Sequence, residues 1–118
     1  MSPENNQKLL DMYPEIFSNI HYCGVGDGWF DLINNACRMI QDHLREEKEV
    51  DQVVAMQVKE KFGGLRFYIH GGDDFCYNLI ESTEAASMHI CEVCGTAGEL
   101  RPSRRWLKTL CDEHAKQD

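Results

Sequence analysis

Residues 53–70 read Val53-Val54-Ala55-Met56-Gln57-Val58-Lys59-Glu60-Lys61-Phe62-Gly63-Gly64-Leu65-Arg66-Phe67-Tyr68-Ile69-His70, and their period of two decides the fold class. Val54, Met56 and Val58 alternate with Ala55, Gln57 and Lys59, and Leu65, Phe67 and Ile69 alternate with Arg66, Tyr68 and His70. Successive side chains of a strand point to opposite faces, so each half predicts a strand with one apolar face. Phe62-Gly63-Gly64 between them predicts a tight turn, hence a β-hairpin. Its solvent face would present Gln57, Lys59, Lys61, Arg66, Tyr68 and His70.

On either side of the hairpin the period changes to that of a helix. Trp29, Leu32, Ile33, Ala36, Cys37, Ile40 and Leu44 fall at three- and four-residue spacing, which predicts an amphipathic helix from about Trp29 to Glu47. Gly71-Gly72-Asp73-Asp74 ends the hairpin, and a further helix is expected from about Asp74 to His89, with Cys76, Leu79, Ile80, Thr83 and Ala86 on one side. Near the start, Ser2-Pro3-Glu4 combines an N-cap, a proline at the first helical position and an acid in the first turn, so a short helix begins there and ends before Pro14. Cys23-Gly24-Val25-Gly26-Asp27-Gly28 is the main loop. Glycines before a helix can hold an anion on backbone N–H groups. However, no Lys-Ser/Thr follows, so this is no P-loop, and a loop with a helix cap is the plainer reading. The fold class is therefore α+β: helices packed on a β-hairpin.

The last quarter carries a second pattern. Cys91-x2-Cys94-Gly95 predicts a knuckle of two thiolates on a tight turn, and Cys111-x2-His114 sits at a helix start, where positions i and i+3 share a face. Two close pairs of N/S ligands separated by a medium gap predict one structural Zn2+ held by Cys91, Cys94, Cys111 and His114. His89 is a weaker replacement ligand. The knuckle–hairpin–helix order resembles a C-terminal treble-clef-like zinc finger. HNH-type nucleases share that frame, but they need a histidine base inside it. Here no histidine lies between Cys94 and Cys111, and Glu99 is the only acid there. No Pro/Gly/Ser linker precedes Cys91, so residues 1–90 are expected as a helical and hairpin body with the finger, residues 91–118, docked on it.

The 118 residues suit one compact unit, and no apolar run reaches the ~18 residues of a membrane span. The start lacks the order of a signal peptide, so a cytoplasmic protein is expected, with Cys23, Cys37 and Cys76 as reduced thiols. The net charge is −8, with 15 acids and 7 bases in residues 1–90 and five of each in 91–118. An acidic body disfavours nonspecific nucleic-acid binding unless it has a local basic face. Two segments offer one. Lys59, Lys61 and Arg66 lie on the hairpin, and Arg101, Arg104, Arg105 and Lys108 surround Trp106, which could stack on a base. The plainer reading is that Trp106 packs the finger and the bases offset acidity. No catalytic motif is recognisable.

Gly28-Trp29-Phe30-Asp31-Leu32-Ile33, Gln57 to Tyr68, Cys91-Glu92-Val93-Cys94-Gly95 and Trp106 to His114 occur in that order. Together they resemble a family of small proteins encoded by bacteriophages, prophages and their hosts, over about residues 22–116. The resemblance implies zinc and a phage-type setting, and no reaction. The expected function is a non-enzymatic accessory protein that binds a host protein, such as an inhibitor of host defence. A nucleic-acid-binding accessory protein is the rival, and a small enzyme of unknown reaction the third possibility. Oligomeric state is left open.

Overall fold

The computed structural model describes residues 1–102 and 106–117. In chain order it contains α1 (Pro3–Met12), a 3₁₀ turn (Asp27–Trp29), α2 (Phe30–Glu46), β1 (Val54–Lys61), β2 (Gly64–His70), α3 (Asp74–Ser87), β3 (Glu99–Leu100), β4 (Thr109–Leu110) and α4 (Asp112–Gln117). It is a mixed α+β arrangement centred on an antiparallel β1–β2 hairpin. None of the described helices is long and apolar enough to cross a membrane.

An isolated two-stranded hairpin is marginal in water and leaves two open edges. Both edges are covered here. Along β1, the Gly24 N–H donates to the Val58 carbonyl at 2.8 Å, the Glu60 N–H to the Gly24 carbonyl at 3.0 Å, and the Ala55 N–H to the Ile16 carbonyl at 2.7 Å. Along β2 the acceptors are side chains of α3: the Leu65 N–H donates to Ser87 Oγ and the Phe67 N–H to a Glu84 carboxylate oxygen, each at 2.9 Å. The inner face, through Val58, Leu65 and Phe67, closes on Trp29, Ile33, Cys37 and Ile40, with Leu9, Ile16, Cys23, Cys76 and Ile80 completing the core. The expected stripe of α2 is thus the buried one, with Leu32 and Leu44 partly covered at its margins.

The local signal at the start of α1 acts as anticipated, and α3 has a side-chain cap of its own. The Asn5 N–H donates to Ser2 Oγ at 3.3 Å, and Pro3 occupies the first helical position. The Cys76 N–H donates to the N-cap Asp73 at 3.2 Å. α3 ends at Ser87 rather than His89, because residues 88–90 turn toward the C-terminal segment. Asn6, which no sequence pattern marks, is buried and joins α1 to the loop before the glycines: its amide donates to the His21 carbonyl at 2.8 Å and accepts from the Cys23 N–H at 2.9 Å.

One expectation about β1 is corrected. Ala55 pairs with Ile69 and Gln57 with Tyr68, so Met56 is an extra residue, a β-bulge. The bulge moves the strand's phase by one position, and the buried residues become Val53, Ala55 and Val58 while Met56 is exposed. The solvent-face set from Gln57 to His70 keeps its predicted side.

Candidate metal centre

Cys91 follows α3 after a short turn, and its carbonyl accepts the Gly95 N–H at 2.9 Å, which closes the knuckle. Gly95 sits at φ 82°, where a side chain would be strained. Cys111 immediately precedes α4, and His114 lies one turn along it. The four donor atoms lie within 4.8 Å of one another. Cys94 Sγ and Cys111 Sγ are 3.8 Å apart, and His114 Nδ1 is 3.7 Å from Cys91 Sγ and 3.2 Å from Cys111 Sγ. Around a tetrahedral ion with metal–sulfur bonds of ~2.3 Å, neighbouring sulfurs stand about 3.8 Å apart. The donor set is therefore compatible with one such ion. His89 is outside this cluster.

The electrostatics favour thiolates even before an ion arrives. The His114 backbone N–H, with that residue's ring behind it, holds the Cys111 thiol down to about 6. The Thr96 hydroxyl, 3.0 Å from Cys94 Sγ, lowers Cys94. The Cys111 thiolate raises His114 in turn. The three remaining cysteines behave oppositely. Cys23, Cys37 and Cys76 are buried and unbridged, and desolvation pushes all three thiols up, Cys23 to about 11.

The glycine loop has a role that the sequence did not disclose. The Gly28 N–H donates to the Glu92 carbonyl at 2.8 Å, and the Gly26 N–H to the Glu92 carboxylate at 2.9 Å. Glu92 is buried, which pushes its carboxyl up. Trp29 is fully buried and its indole N–H donates to the Ile90 carbonyl at 2.9 Å. The Gly28 N–H thus holds the knuckle backbone, the Gly26 N–H the Glu92 side chain and the indole the residue before Cys91, so none of the three is left for a phosphate. A Cβ on Gly28 would stand 2.1 Å from the Cys91 carbonyl oxygen. Gly28→Ala is accordingly expected to destabilise the protein by about 2–3 kcal/mol, in the range of overpacking a close contact. Chemical denaturation would measure this, and Gly24→Ala, which meets only ordinary contacts at 3.6 Å or more, is the matched control.

On the other side, Thr109 Oγ1–H donates to the Gly63 carbonyl at 2.7 Å, and the Glu92 N–H to the Thr109 carbonyl at 3.0 Å. The hairpin tip and the C-terminal segment therefore lie side by side. Phe62 and Trp106 are among the most exposed apolar side chains, at 66% and 70%, and they line one cleft of about 440 Å³ with Glu60, Leu107 and Lys108. Lys59 stands opposite Arg66 across the hairpin, and the Lys61 ammonium lies 5.5 Å from the Phe62 ring. Arg101, grouped by sequence with the basic segment, is instead structural: it pairs with Glu99 and Asp112 and donates to the Leu110 carbonyl. Arg104 and Arg105 lie outside the described residues.

The turn that carries Phe62 is unusual. Phe62 and Gly63 both have positive φ, 55° and 85°, as a two-residue type I′ hairpin turn requires. Asn-Gly is the preferred pair there, and a bulky residue in the left-handed region is strained by about 1–2 kcal/mol. The Glu60 carboxylate accepts the Gly63 N–H at 2.7 Å and helps to hold the turn.

No family of known proteins, no curated protein and no solved structure matches this chain.

Proposed function

We propose that this is a non-enzymatic, phage-type accessory protein that binds a host protein through the hairpin tip and Trp106. One zinc ion on Cys91, Cys94, Cys111 and His114, within a treble-clef-like finger, serves as the staple behind that surface. The observation that carries the reading is Phe62. A strained backbone and a large exposed apolar side chain coincide at one position, and that coincidence is the mark of a residue retained for contact rather than for folding. Aromatic side chains are the usual anchors of protein interfaces. All four metal ligands come from the chain, which closes the coordination shell and leaves the ion no position for substrate.

The test sets stability against binding. Phe62→Asn suits the I′ turn better, so the protein should gain about 1 kcal/mol. The lost cation–π contact with Lys61 offsets only about 0.5 kcal/mol at an exposed site. The same variant, and Trp106→Ala beside it, should lose at least tenfold in capture of a protein from bacterial host lysate after nuclease treatment. Capture that is unchanged by both substitutions would sink the proposal.

A second reading rests on Lys61 over the Phe62 ring and Lys108 in the cleft with Phe62 and Trp106, with Lys59 further along the same strand, a combination that also suits a single nucleic-acid strand. It expects direct oligonucleotide binding that falls steeply with salt and that weakens on Lys61→Ala, and it places the protein partner second. Cytoplasmic location follows from either reading as part of the proposal.

A further inference from the structure

A second group of metal-ligating side chains stands apart from the C-terminal cluster. His43 comes from the last turn of α2, and Asp73 and Cys76 from the start of α3. Their donor atoms lie within 4.8 Å of one another. His43 Nε2 is 2.8 Å from Asp73 Oδ2, while Asp73 Oδ1 accepts the Cys76 N–H at 3.2 Å. Asp73 and Cys76 repeat the i, i+3 spacing of Cys111 and His114, again at a helix start.

A helix-to-helix tie explains the carboxylate and the imidazole, but it needs no thiol. The third donor is what distinguishes this cluster from an ordinary capping pair. The thiol is fully buried, so its approach to the other two comes from inside the molecule. Each group is also held in place. The His43 ring stacks on Phe75 with centroids 4.1 Å apart, and Asp73 is fixed by its cap bond. The Gly72 backbone packs against Cys76, where a Cβ would come within 3.0 Å of Cys76 Cβ. The side chains of His43 and Asp73 are 18% and 35% exposed, and His43 borders a shallow cleft with Met39, Asp42, Glu46 and Phe75.

We propose that His43, Asp73 and Cys76 form a second metal site, for a zinc-class divalent cation, with a coordination position open to solvent. A nitrogen, oxygen and sulfur donor set suits zinc or cobalt and excludes the hard cations magnesium and calcium. Three protein ligands with water in the fourth position is the pattern of exchangeable or reactive zinc rather than of a closed staple. On binding, the ion replaces the proton between His43 Nε2 and Asp73, a neutral imidazole then carrying its proton on Nδ1 and any further proton going to solvent, and the thiol proton likewise leaves to solvent. Ligand atoms around a tetrahedral ion stand about 3.4 Å apart, so the 2.8 Å contact opens by about half an ångström.

Cobalt titration of the full metal-free chain tests this, because thiolate-to-cobalt absorption reports sulfur ligation. Two equivalents are expected, the second weaker and carrying the signature of a single thiolate. Asp73→Asn keeps an N-cap of equal quality but removes the carboxylate, and His43→Gln changes a side chain that is not in the core. Each should weaken the second equivalent at least tenfold and leave the first, and the unfolding midpoint, close to the parent's. The dependence on His43 and Asp73 keeps the result readable even if the C-terminal cluster fails to bind. Uptake of a single equivalent that neither substitution weakens overturns the proposal, as does a second equivalent indifferent to both.

Discussion

Cys94→Ser is expected to release one equivalent of metal and to open residues 88–100 and 109–117 while leaving the hairpin and α2 folded. Cys94 is exposed and its sulfur meets Thr96 and Cys111, so serine acts on the ligand cluster rather than on the core. An ion present at a thousandfold its dissociation constant stabilises the state that binds it by ~4 kcal/mol. For a chain of this length each kilocalorie moves the thermal midpoint by about 4 °C, so a fall of about 15 °C is the expected scale. Amide hydrogen exchange would give the sharper reading. The N–H groups of Gly26 and Gly28 end on Glu92, far away in sequence, and they should lose protection together with the knuckle. A variant that keeps both its metal and its midpoint would refute the staple.

Trp29→Ala carries the other large effect. The indole is wholly buried between the core and the turn that leads into Cys91. Truncating a buried tryptophan costs about 3–5 kcal/mol, and the Ile90 carbonyl also loses its donor, worth about 1 kcal/mol more. Against a total stability of roughly 5–15 kcal/mol, that is enough to leave much of the population unfolded at 37 °C. Trp29→Phe separates the two contributions: it retains most of the buried area, gives up the indole N–H and should cost about 1–2 kcal/mol. Urea denaturation followed by circular dichroism would rank the three proteins. Equal midpoints for Trp29→Ala and Trp29→Phe would show that packing is not what Trp29 supplies.

These two experiments probe different kinds of information in the chain. The cluster of Cys91, Cys94, Cys111 and His114 was legible because each pair is local. Cys91 and Cys94 lie on one turn, Cys111 and His114 on one helix face, and donor chemistry supplies the rest. The start of α1 and the buried face of α2 were legible for the same reason, since a capping bond and a 3.6-residue period need no distant partner. The loop Gly24–Gly28 was not. Its glycines make room for the backbone of Glu92, 64 residues beyond Gly28, and no local rule connects them. The composition of the loop suggested an anion only because its true partner, a buried carboxylate and carbonyl, belongs to the same chain.

By itself, then, the sequence determined whatever is set by hydrogen bonds and spacings within a few residues: the helices, the hairpin, its tight turn and the two ligand pairs. The tertiary structure alone decided what depends on distant segments meeting. It moved the buried face of β1 by one residue at Met56, placed Phe62 beside Trp106, and brought His43 to Asp73 and Cys76. The physical reason is that packing selects among local conformations of nearly equal energy, and that selection is made by contacts no short window of sequence contains.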